Sequence, residues 1–251
     1  MTQIALITGG SRGLGRSMAL HLAKRGVDVI FTYRAAEAEA NEVLGRLRAL
    51  GRKAVALPLD VADSASFDAF AKSIATELER TFGKQQLDFL VNNAGTALHA
   101  SIAETTAAQL DDVYAVHFKA PYLLTQKLLP LIADGGRILN VSSGLARFTN
   151  PGSAAYGAMK AAVEMLTRYM AQEFGPRKIA VNVVAPGAIA TDFSGGIVRD
   201  NPDVNRRVAS VTALGRVGLP DDVGGAVAML LAPESGWING QRIEVSGGMV
   251  L

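Results

Sequence analysis

Residues 4–15 of the chain read IALITGGSRGLG, and this stretch decides the fold. Four apolar residues typical of a buried strand lead directly into a glycine-rich turn, and a segment with helical periodicity follows. Gly9 and Gly13 leave out side chains where the backbone must turn sharply and approach an anion, and Gly15 permits close packing of helix on strand. Because free N–H groups at a helix N-terminus attract a pyrophosphate, this unit predicts a dinucleotide site.

Strand-like and helix-like segments alternate beyond this unit along the chain. The strand-like runs are nearly continuously apolar, as expected for parallel strands covered by helices on both faces. The sequence therefore predicts an α/β Rossmann fold, a doubly wound seven-stranded parallel sheet, in a single domain of residues 1–251. We expect strands over residues 4–7, 27–32, 54–58, 89–91, 136–141, 180–184 and 242–245, and helices over residues 14–25, 35–50, 64–82, 107–132, 155–174 and 221–231.

Composition narrows the possible partners. The 25 Lys and Arg residues nearly balance 23 Asp and Glu residues without a run of like charges, so no nucleic-acid partner is predicted. The chain has no cysteine, which excludes disulfides and thiolate chemistry, and its three histidines lie too far apart for a local metal motif. No apolar run approaches the ~18 to 20 residues that cross a bilayer. We therefore expect a cytoplasmic protein with no membrane partner and no metal.

The end of the second predicted strand selects the dinucleotide. An acidic side chain there would hold a ribose 2′-hydroxyl and repel a 2′-phosphate, but residues 32–34 read TYR. Tyr33 stands about where that acid is expected, Arg34 follows it, and Arg12 in the glycine turn can point to the same pocket. Two guanidinium groups suit a phosphate, so the sequence predicts NADP(H). The alternative is that Arg34 only caps a solvated helix entrance.

Two later strand ends and one long excursion complete this edge of the sheet. Asp60 and Val61 follow the third strand, where the carboxylate would lie beside an adenine ring or would instead cap the helix near residue 64. Residues 92–95 read NNAG and place amides and a turn glycine at the edge. Residues 187–215, with a helix near 204–213, form either a lid over a substrate or an ordinary surface connection.

The chemistry is concentrated in Ser143, Tyr156 and Lys160. Tyr156 precedes Lys160 by four residues in a helical segment, so both side chains share one helical face. A neighbouring cation favours phenolate, so Lys160 together with the positive charge of an oxidised nicotinamide is predicted to lower the pKa of the Tyr156 phenol. Ser143 can hold a substrate oxygen while Tyr156 gives or takes its proton and a nicotinamide carries hydride. Taken alone, a tyrosine and a lysine at this spacing are more often an ordinary pair on a helix surface.

These features occur in a definite order, and together they resemble the short-chain dehydrogenase/reductase family from end to end. The glycine turn, the NNAG segment, a serine thirteen positions before the tyrosine, the Tyr-x-x-x-Lys spacing and Pro186-Gly187 carry the resemblance. It implies that Ser143 polarises the substrate, that Tyr156 is the acid/base, and that Lys160 lowers its pKa and binds the nicotinamide ribose. It also implies a homotetramer or a dimer.

The resemblance also implies contacts to the cofactor. Asn92 would lie near the ribose, and Ile189 through its backbone and Thr191 through its hydroxyl would meet the nicotinamide carboxamide. The full set of predicted cofactor residues is Gly9, Ser11, Arg12, Gly13, Leu14, Gly15, Tyr33, Arg34, Asp60, Val61, Asn92, Ala94, Gly95, Tyr156, Lys160, Pro186, Gly187, Ile189 and Thr191.

One residue departs from the family pattern. His117 stands where the family usually has an asparagine that helps to hold a water leading to the lysine. Either His117 joins a rebuilt proton relay as a further catalytic residue, or it packs in a helix interface without a proton role.

The expected function is hydride transfer between NADP(H) and a carbonyl or secondary alcohol on a small molecule. The glycine turn and residues 181–187 and 214–218 resemble reductases of 3-oxoacyl thioesters, while similar segments occur in reductases of other ketones, sugars and quinones. A non-catalytic dinucleotide-binding regulatory protein is the alternative from another class.

Overall fold

A seven-stranded parallel sheet forms the centre of the computed structural model, which describes residues 2–251. The strands lie side by side in the order β3-β2-β1-β4-β5-β6-β7, so the strand order reverses between β1 and β4. Ligands in open α/β sheets bind at such a reversal, beyond the carboxyl ends of the strands. The predicted doubly wound parallel sheet is confirmed. Its strands are β1 Ile4–Ile7, β2 Asp28–Tyr33, β3 Ala54–Pro58, β4 Leu87–Asn92, β5 Ile132–Val141, β6 Ala180–Pro186 and β7 Arg242–Val245.

Helices cover both faces of the sheet. One apolar cluster joins α1, α2 and α9 to the sheet, and a second joins α3, α5 and α6 to its other face. This two-sided cover explains why the central strands are apolar without alternation. The helices are α1 Gly13–Lys24, α2 Glu37–Ala49, α3 Phe67–Glu77, α4 Ala107–Tyr114, α5 Ala120–Leu128, α6 Ala154–Glu173, α7 Ile197–Asp200, α8 Pro202–Ser210 and α9 Pro220–Leu230.

The largest error of the sequence-based bounds lies in the segment predicted as one helix over 107–132. A wide π-type turn, Ala115–Lys119, separates α4 from α5, and a short 3-10 turn, Leu129–Leu131, follows α5. The chain then enters β5 at Ile132, four residues earlier than predicted. Pro130 within the short turn and Gly135 with a φ of 78° interrupt the regular pattern there.

Residues 187–215 contain the helices α7 and α8. The helix predicted over 204–213 spans Pro202–Ser210 and so begins and ends earlier than predicted. It begins earlier because Asn201 caps it by accepting from the N–H groups of Asp203 and Val204, and Pro202 occupies its first position. No helix within residues 2–251 has both the length and the apolarity to cross a membrane.

Candidate active site

A cleft of about 1050 Å³ opens along the carboxyl ends of the strands. Every residue predicted to bind cofactor or to act in catalysis lines this cleft, with the single exception of Asn92. The cleft has two regions, one formed by the glycine turn and the ends of β2 and β3, the other by the ends of β5 and β6 with α8. The fold therefore brings residues from more than 180 positions apart to one edge of the sheet.

The glycine turn between β1 and α1 has the shape that an anion requires. Gly9 and Gly13 adopt left-handed φ angles of 69° and 54°. A Cβ on Gly15 would lie 2.1 Å from the Gly9 carbonyl oxygen, so no other residue fits there without moving the turn. The first turn of α1 holds no acidic residue, and Arg12 at its N-cap does not bond the helix with its side chain. The N-terminal N–H groups of α1 therefore suit a pyrophosphate.

Asn93, which the sequence analysis did not single out, fixes this turn. Its side-chain amide donates to the carbonyls of Thr8 at 2.8 Å and Gly9 at 3.1 Å. The Thr8 hydroxyl in turn accepts from the backbone N–H groups of Asn93 and Ala94, both at 3.0 Å. The NNAG segment after β4 thus holds the glycine turn in place. Because these bonds join residues 85 positions apart, only the motif itself could have signalled Asn93.

Asn92 has a different role from the predicted one. Its side chain is buried below the cleft and donates to Asn140 Oδ1 at 2.8 Å and to Thr125 Oγ1 at 3.0 Å. The Asn140 amide donates onward to Thr167 Oγ1 at 2.9 Å. Asn92 therefore ties β4 to α5, β5 and α6 from within. In a strand that alternates direction, Asn92 and Asn93 point to opposite faces, which separates their roles.

Two guanidinium groups stand at the outer end of the cleft. Arg12 and Arg34 both line it and are exposed, and neither side chain has an ion-pair or hydrogen-bond partner within residues 2–251. Asp60 also lines the cleft, and it does not cap the helix that follows. Asp63 does so by accepting from Ala65 N, while Asp60 accepts from Ala62 N at 2.9 Å. Positive charge thus collects where the chain leaves β2.

The end of β6 closes over the glycine turn. A Cβ on Gly187 would lie 3.0 Å from the Ser246 backbone, so Pro186-Gly187 packs closely against the chain after β7. Ile189 pairs with Gly218 in an isolated bridge, and Thr191 lies next to Gly13. The Thr191 hydroxyl accepts from Phe193 N at 3.2 Å. These residues form the wall between the two regions of the cleft.

Ser143, Tyr156 and Lys160 meet at the middle of the cleft, as their spacing predicts. Ser143 follows β5 in extended conformation, and its hydroxyl lies near the Tyr156 side chain on α6. Lys160 Nζ lies 5.5 Å from the centre of the Tyr156 ring and donates to the Val141 carbonyl at 2.7 Å. The strand end and the helix therefore present two hydroxyls side by side, with a buried amine beneath them.

The direction of the Tyr156 pKa differs from the predicted one. Burial raises the pKa of Tyr156 to about 12, and the nearby Ser143 hydroxyl offsets only part of this. Burial also lowers the pKa of Lys160 to about 7, which weakens the positive charge that was expected to favour phenolate. Near neutral pH, Tyr156 is consequently a phenol with a proton to give.

His117 is buried in the π-type turn between α4 and α5. Burial lowers the pKa of His117 to about 3, and the Lys160 charge acts in the same direction. Its Nε2 lies 2.8 Å from the Thr96 carbonyl, so the neutral ring donates from Nε2, and Nδ1 has no partner within residues 2–251. The ring stands edge-on to Tyr156 with centroids 5.0 Å apart. His117 therefore contacts Tyr156 as a neutral, buried ring.

The inner region of the cleft is mostly apolar. Phe148 follows β5, Phe193 lies 6.1 Å from the Tyr156 ring, and α8 contributes valines. The C-terminal residues Met249 and Val250 also line this region, which the sequence analysis missed. No local pattern marks them, because contacts with distant segments of the chain bring them to the cleft.

Known proteins resemble this chain over nearly its whole length. A family model described as enoyl-(acyl carrier protein) reductase matches residues 9–250. A hydroxynaphthalene reductase-like protein, Arp2, from Metarhizium brunneum is 36% identical over 99% of this chain and 95% of the relative. The promiscuous reductase LugOII, which catalyses keto-reduction at C1 during lugdunomycin biosynthesis, has a solved structure with a TM-score of 0.94 and 38% identity, covering 99% of this chain and 97% of that one.

A second solved structure contains a cofactor. The angucycline C-6 ketoreductase LanV with bound NADP is similar at a TM-score of 0.93 and 33% identity, with 99% of this chain and 95% of that chain covered.

Proposed function

The chain belongs to the short-chain dehydrogenase/reductase family, and from this premise we propose that it reduces a ketone with NADPH. The observation that carries the proposal is the protonated Tyr156 phenol beside the Ser143 hydroxyl at the middle of a wide cleft. Two hydroxyls that converge on one point suit a carbonyl oxygen, which gains negative charge as the carbonyl is reduced.

Each of the three side chains has its own task in this proposal. Bound NADPH would supply the hydride. Ser143 holds the carbonyl oxygen by donating a hydrogen bond, and Tyr156 gives the proton that turns it into a hydroxyl. Lys160 keeps the Tyr156 side of α6 anchored to β5 through its bond to the Val141 carbonyl and lines the cleft where a ribose would lie. In the reverse direction Tyr156 takes the proton back.

The choice of NADPH over NADH rests on charge. Arg12 and Arg34 are exposed at the cleft mouth without partners among the described residues, and the end of β2 carries no carboxylate. Arginine suits a phosphate because its planar fork can bond two oxygens at once. LanV, at 33% identity, has NADP bound. We therefore assign Arg12 and Arg34 to the 2′-phosphate.

For the substrate we propose a bulky, mostly apolar fused-ring ketone. The inner region offers the aromatic faces of Phe148 and Phe193 and the apolar side chains of Val208, Val211 and Met249. Such walls favour flat apolar rings over sugars, whose hydroxyls would lose hydrogen bonds to water there. The hydroxynaphthalene reductase-like relative and the two ketoreductases support the same class. The resemblance to reductases of 3-oxoacyl thioesters stays a prediction.

Two further proposals concern the surroundings of the site. Residues 187–215 act as a substrate-covering lid, supported by Thr191, Phe193 and the apolar face of α8 along the cleft. The protein forms a homotetramer or a dimer, supported by exposed aromatic residues on neighbouring helices, Tyr114, Tyr122 and Tyr169. Light scattering of the purified protein measures this oligomeric state. A cytoplasmic location stays a prediction from the sequence.

The test is NADPH oxidation against a panel of carbonyl compounds: a tetralone, menadione, acetoacetyl-CoA and a ketose. We expect the tetralone and menadione to give the highest kcat/KM. Tyr156→Phe should lower kcat about a hundredfold or more, because general acid catalysis is lost. NADPH should still bind, because the substitution leaves the shape of the cleft unchanged. Arg34→Ala should raise the KM for NADPH about tenfold and leave that for NADH nearly unchanged.

The same experiment separates the alternatives. Faster turnover of acetoacetyl-CoA than of any ring ketone would replace the proposed substrate class with the acyl thioesters. NADPH binding without oxidation in the presence of every carbonyl compound would instead favour a non-catalytic, dinucleotide-binding regulatory protein.

A further inference from the structure

The C-terminal residues 246–251 contribute part of the wall of the inner cleft. Met249 and Val250 line the cleft next to Val208 and Val211. The tail crosses this region with unusual backbone angles, because Gly247 and Gly248 adopt φ values of 64° and 75° and Val250 adopts 52°. A left-handed φ is unfavourable for a β-branched residue, so Val250 keeps it only where surrounding contacts impose it.

Backbone pairing supplies one set of these contacts. The tail runs antiparallel to the segment after α8, with Val250 N donating to the Val211 carbonyl at 2.9 Å. Ala213 N and Leu214 N donate to the carbonyls of Gly248 and Gly247 at 3.1 and 3.0 Å. This short pairing joins the tail to the proposed lid segment, but it does not tie either of them to the catalytic strands.

Arg147 supplies that connection. It stands four residues after Ser143, in the turn that leaves β5, and its guanidinium donates to the Val250 carbonyl at 2.8 Å and to the Met249 carbonyl at 2.9 Å. The same group bonds both carboxylate oxygens of Glu244 on β7 at 3.0 Å. A planar guanidinium can make such a fork to a carboxylate and still reach two carbonyls, whereas a lysine ammonium cannot.

The Glu244 carboxylate is itself fixed from the catalytic side. Arg242 donates to Glu244 at 2.9 Å and to Glu164 on α6 at 2.7 Å, and Glu164 accepts from the Ser142 hydroxyl at 2.6 Å. Although burial acts to raise the pKa of Glu244, the bonds from Arg147 and Arg242 hold it below its ordinary value. A continuous polar chain thus runs from Ser142, next to the catalytic serine, to the carbonyls of the tail.

We propose that Arg147 is a positioning residue that fixes residues 246–251 as a wall of the substrate region and thereby determines which ketones fit. Arg147 does not line the cleft, so it acts through Met249 and Val250 and not by touching the substrate. The proposal rests on the proposed function to the extent that a ketone is the ligand of this wall. A large ring ketone that reaches Met249 should depend on the wall, while a small ketone held only by Ser143 and Tyr156 should not.

The first measurement needs no substrate. Hydrogen exchange of the full-length protein reports the backbone amides of Ala213, Leu214 and Val250, whose bonds hold the tail. We expect Arg147→Ala to increase the exchange rates of these amides at least tenfold, because the carbonyls of Met249 and Val250 lose a charged donor. Arg147→Lys should give rates between those of wild type and Arg147→Ala. Arg80→Ala is the matched control, since it removes an arginine fork to Glu77 that lies away from the cleft. Unchanged exchange in Arg147→Ala would overturn the proposal.

The second measurement compares a tetralone with cyclohexanone in the NADPH assay. Arg147→Ala should raise the KM for the tetralone about tenfold, with kcat, the Kd of NADPH and the KM for cyclohexanone within about threefold of wild type. Deleting residues 249–251 should give the same pattern, and adding Arg147→Ala to that deletion should have little further effect, because each change removes the bonds between Arg147 and the carbonyls of Met249 and Val250. Equal losses for both ketones, or a fall in kcat alone, would contradict a positioning role.

The two measurements also separate this proposal from the proposed function. If wild-type protein oxidises no NADPH with any ketone, the proposed function fails, and hydrogen exchange still decides whether Arg147 anchors the tail. If wild-type protein is active, and the Arg147 and tail variants match it in both amide exchange and ketone turnover, only the proposal about Arg147 fails.

Discussion

His117 shows how burial determines the chemistry of a single residue. As the one departure from the family pattern, it was expected either to titrate in a proton relay or to pack without a proton role. Its pKa of about 3 and its bond from Nε2 to the Thr96 carbonyl make it neutral throughout the physiological range. A ring that does not change charge cannot carry a proton by titrating, which favours the packing role.

Replacing His117 with asparagine tests that conclusion. We expect His117→Asn to keep kcat within about threefold of wild type and to leave the shape of the pH profile between about pH 5 and 9 unchanged, because no titrating group is removed. The measurement is kcat/KM against pH for both proteins. The disappearance of an ionisation from the profile of the variant would show that His117 titrates during turnover.

The shared helical face of Tyr156 and Lys160 was predictable because their spacing is local, whereas the ionisation of the two groups was not. Tyr156 and Lys160 lie one helical turn apart, which sequence alone reveals. The burial that raises one pKa and lowers the other arises from the strands and helices packed around them, which spacing does not encode.

At the scale of elements, neighbouring asparagines at the end of β4 have separate tasks. Asn92 ties β4 to α5 and β5 from the buried side, and Asn93 holds the glycine turn on the cleft side. The sequence predicts the edge of the sheet correctly but assigns the cofactor side to Asn92. The assignment depends on which face of the strand end each side chain occupies, and neighbouring residues occupy opposite faces.

The pair offers a matched test. Asn92→Ala should lower the free energy of unfolding by about 2 to 3 kcal/mol, because buried partners such as Asn140 Oδ1 lose their donor, while the Kd of NADPH stays within about twofold. Asn93→Ala should raise the Kd of NADPH about tenfold, since the glycine turn loses two bonds to its carbonyls. Urea unfolding and fluorescence titration measure the two quantities. A raised Kd of NADPH in Asn92→Ala, with lost stability in Asn93→Ala instead, would support the predicted cofactor contact of Asn92.

At the scale of the whole molecule, the alternation of apolar and helical segments was sufficient to predict a doubly wound, seven-stranded parallel sheet. Each strand pairs with the neighbour that a doubly wound sheet requires, and the core lies on both sides of it. What could not be predicted was contact between distant loops. The C-terminal tail reaches the cleft through Arg147, which lies about 100 residues before it, and no periodicity reports such a contact.

Burial of two basic groups also affects the pH dependence of stability. The folded-state pKa of His117 is about 3 instead of 6.5, so between these values the unfolded chain binds a proton that the folded chain does not. The folded-state pKa of Lys160 is about 7 instead of 10.5, which gives the same imbalance at alkaline pH. In both windows the unfolded state binds more protons, and the free energy of unfolding therefore rises as pH rises.

Each group can contribute a slope of up to about 1.4 kcal/mol per pH unit inside its window. Wild-type protein should therefore lose stability on acidification below pH 6.5, and His117→Asn should lose less, while exposed His99→Asn should follow wild type. Lys160→Met should remove the gain between about pH 7 and 10. Urea unfolding at a series of pH values measures these slopes. If His117→Asn and wild type have the same acid slope, the ring is protonated in the folded protein and the neutral, packed role fails.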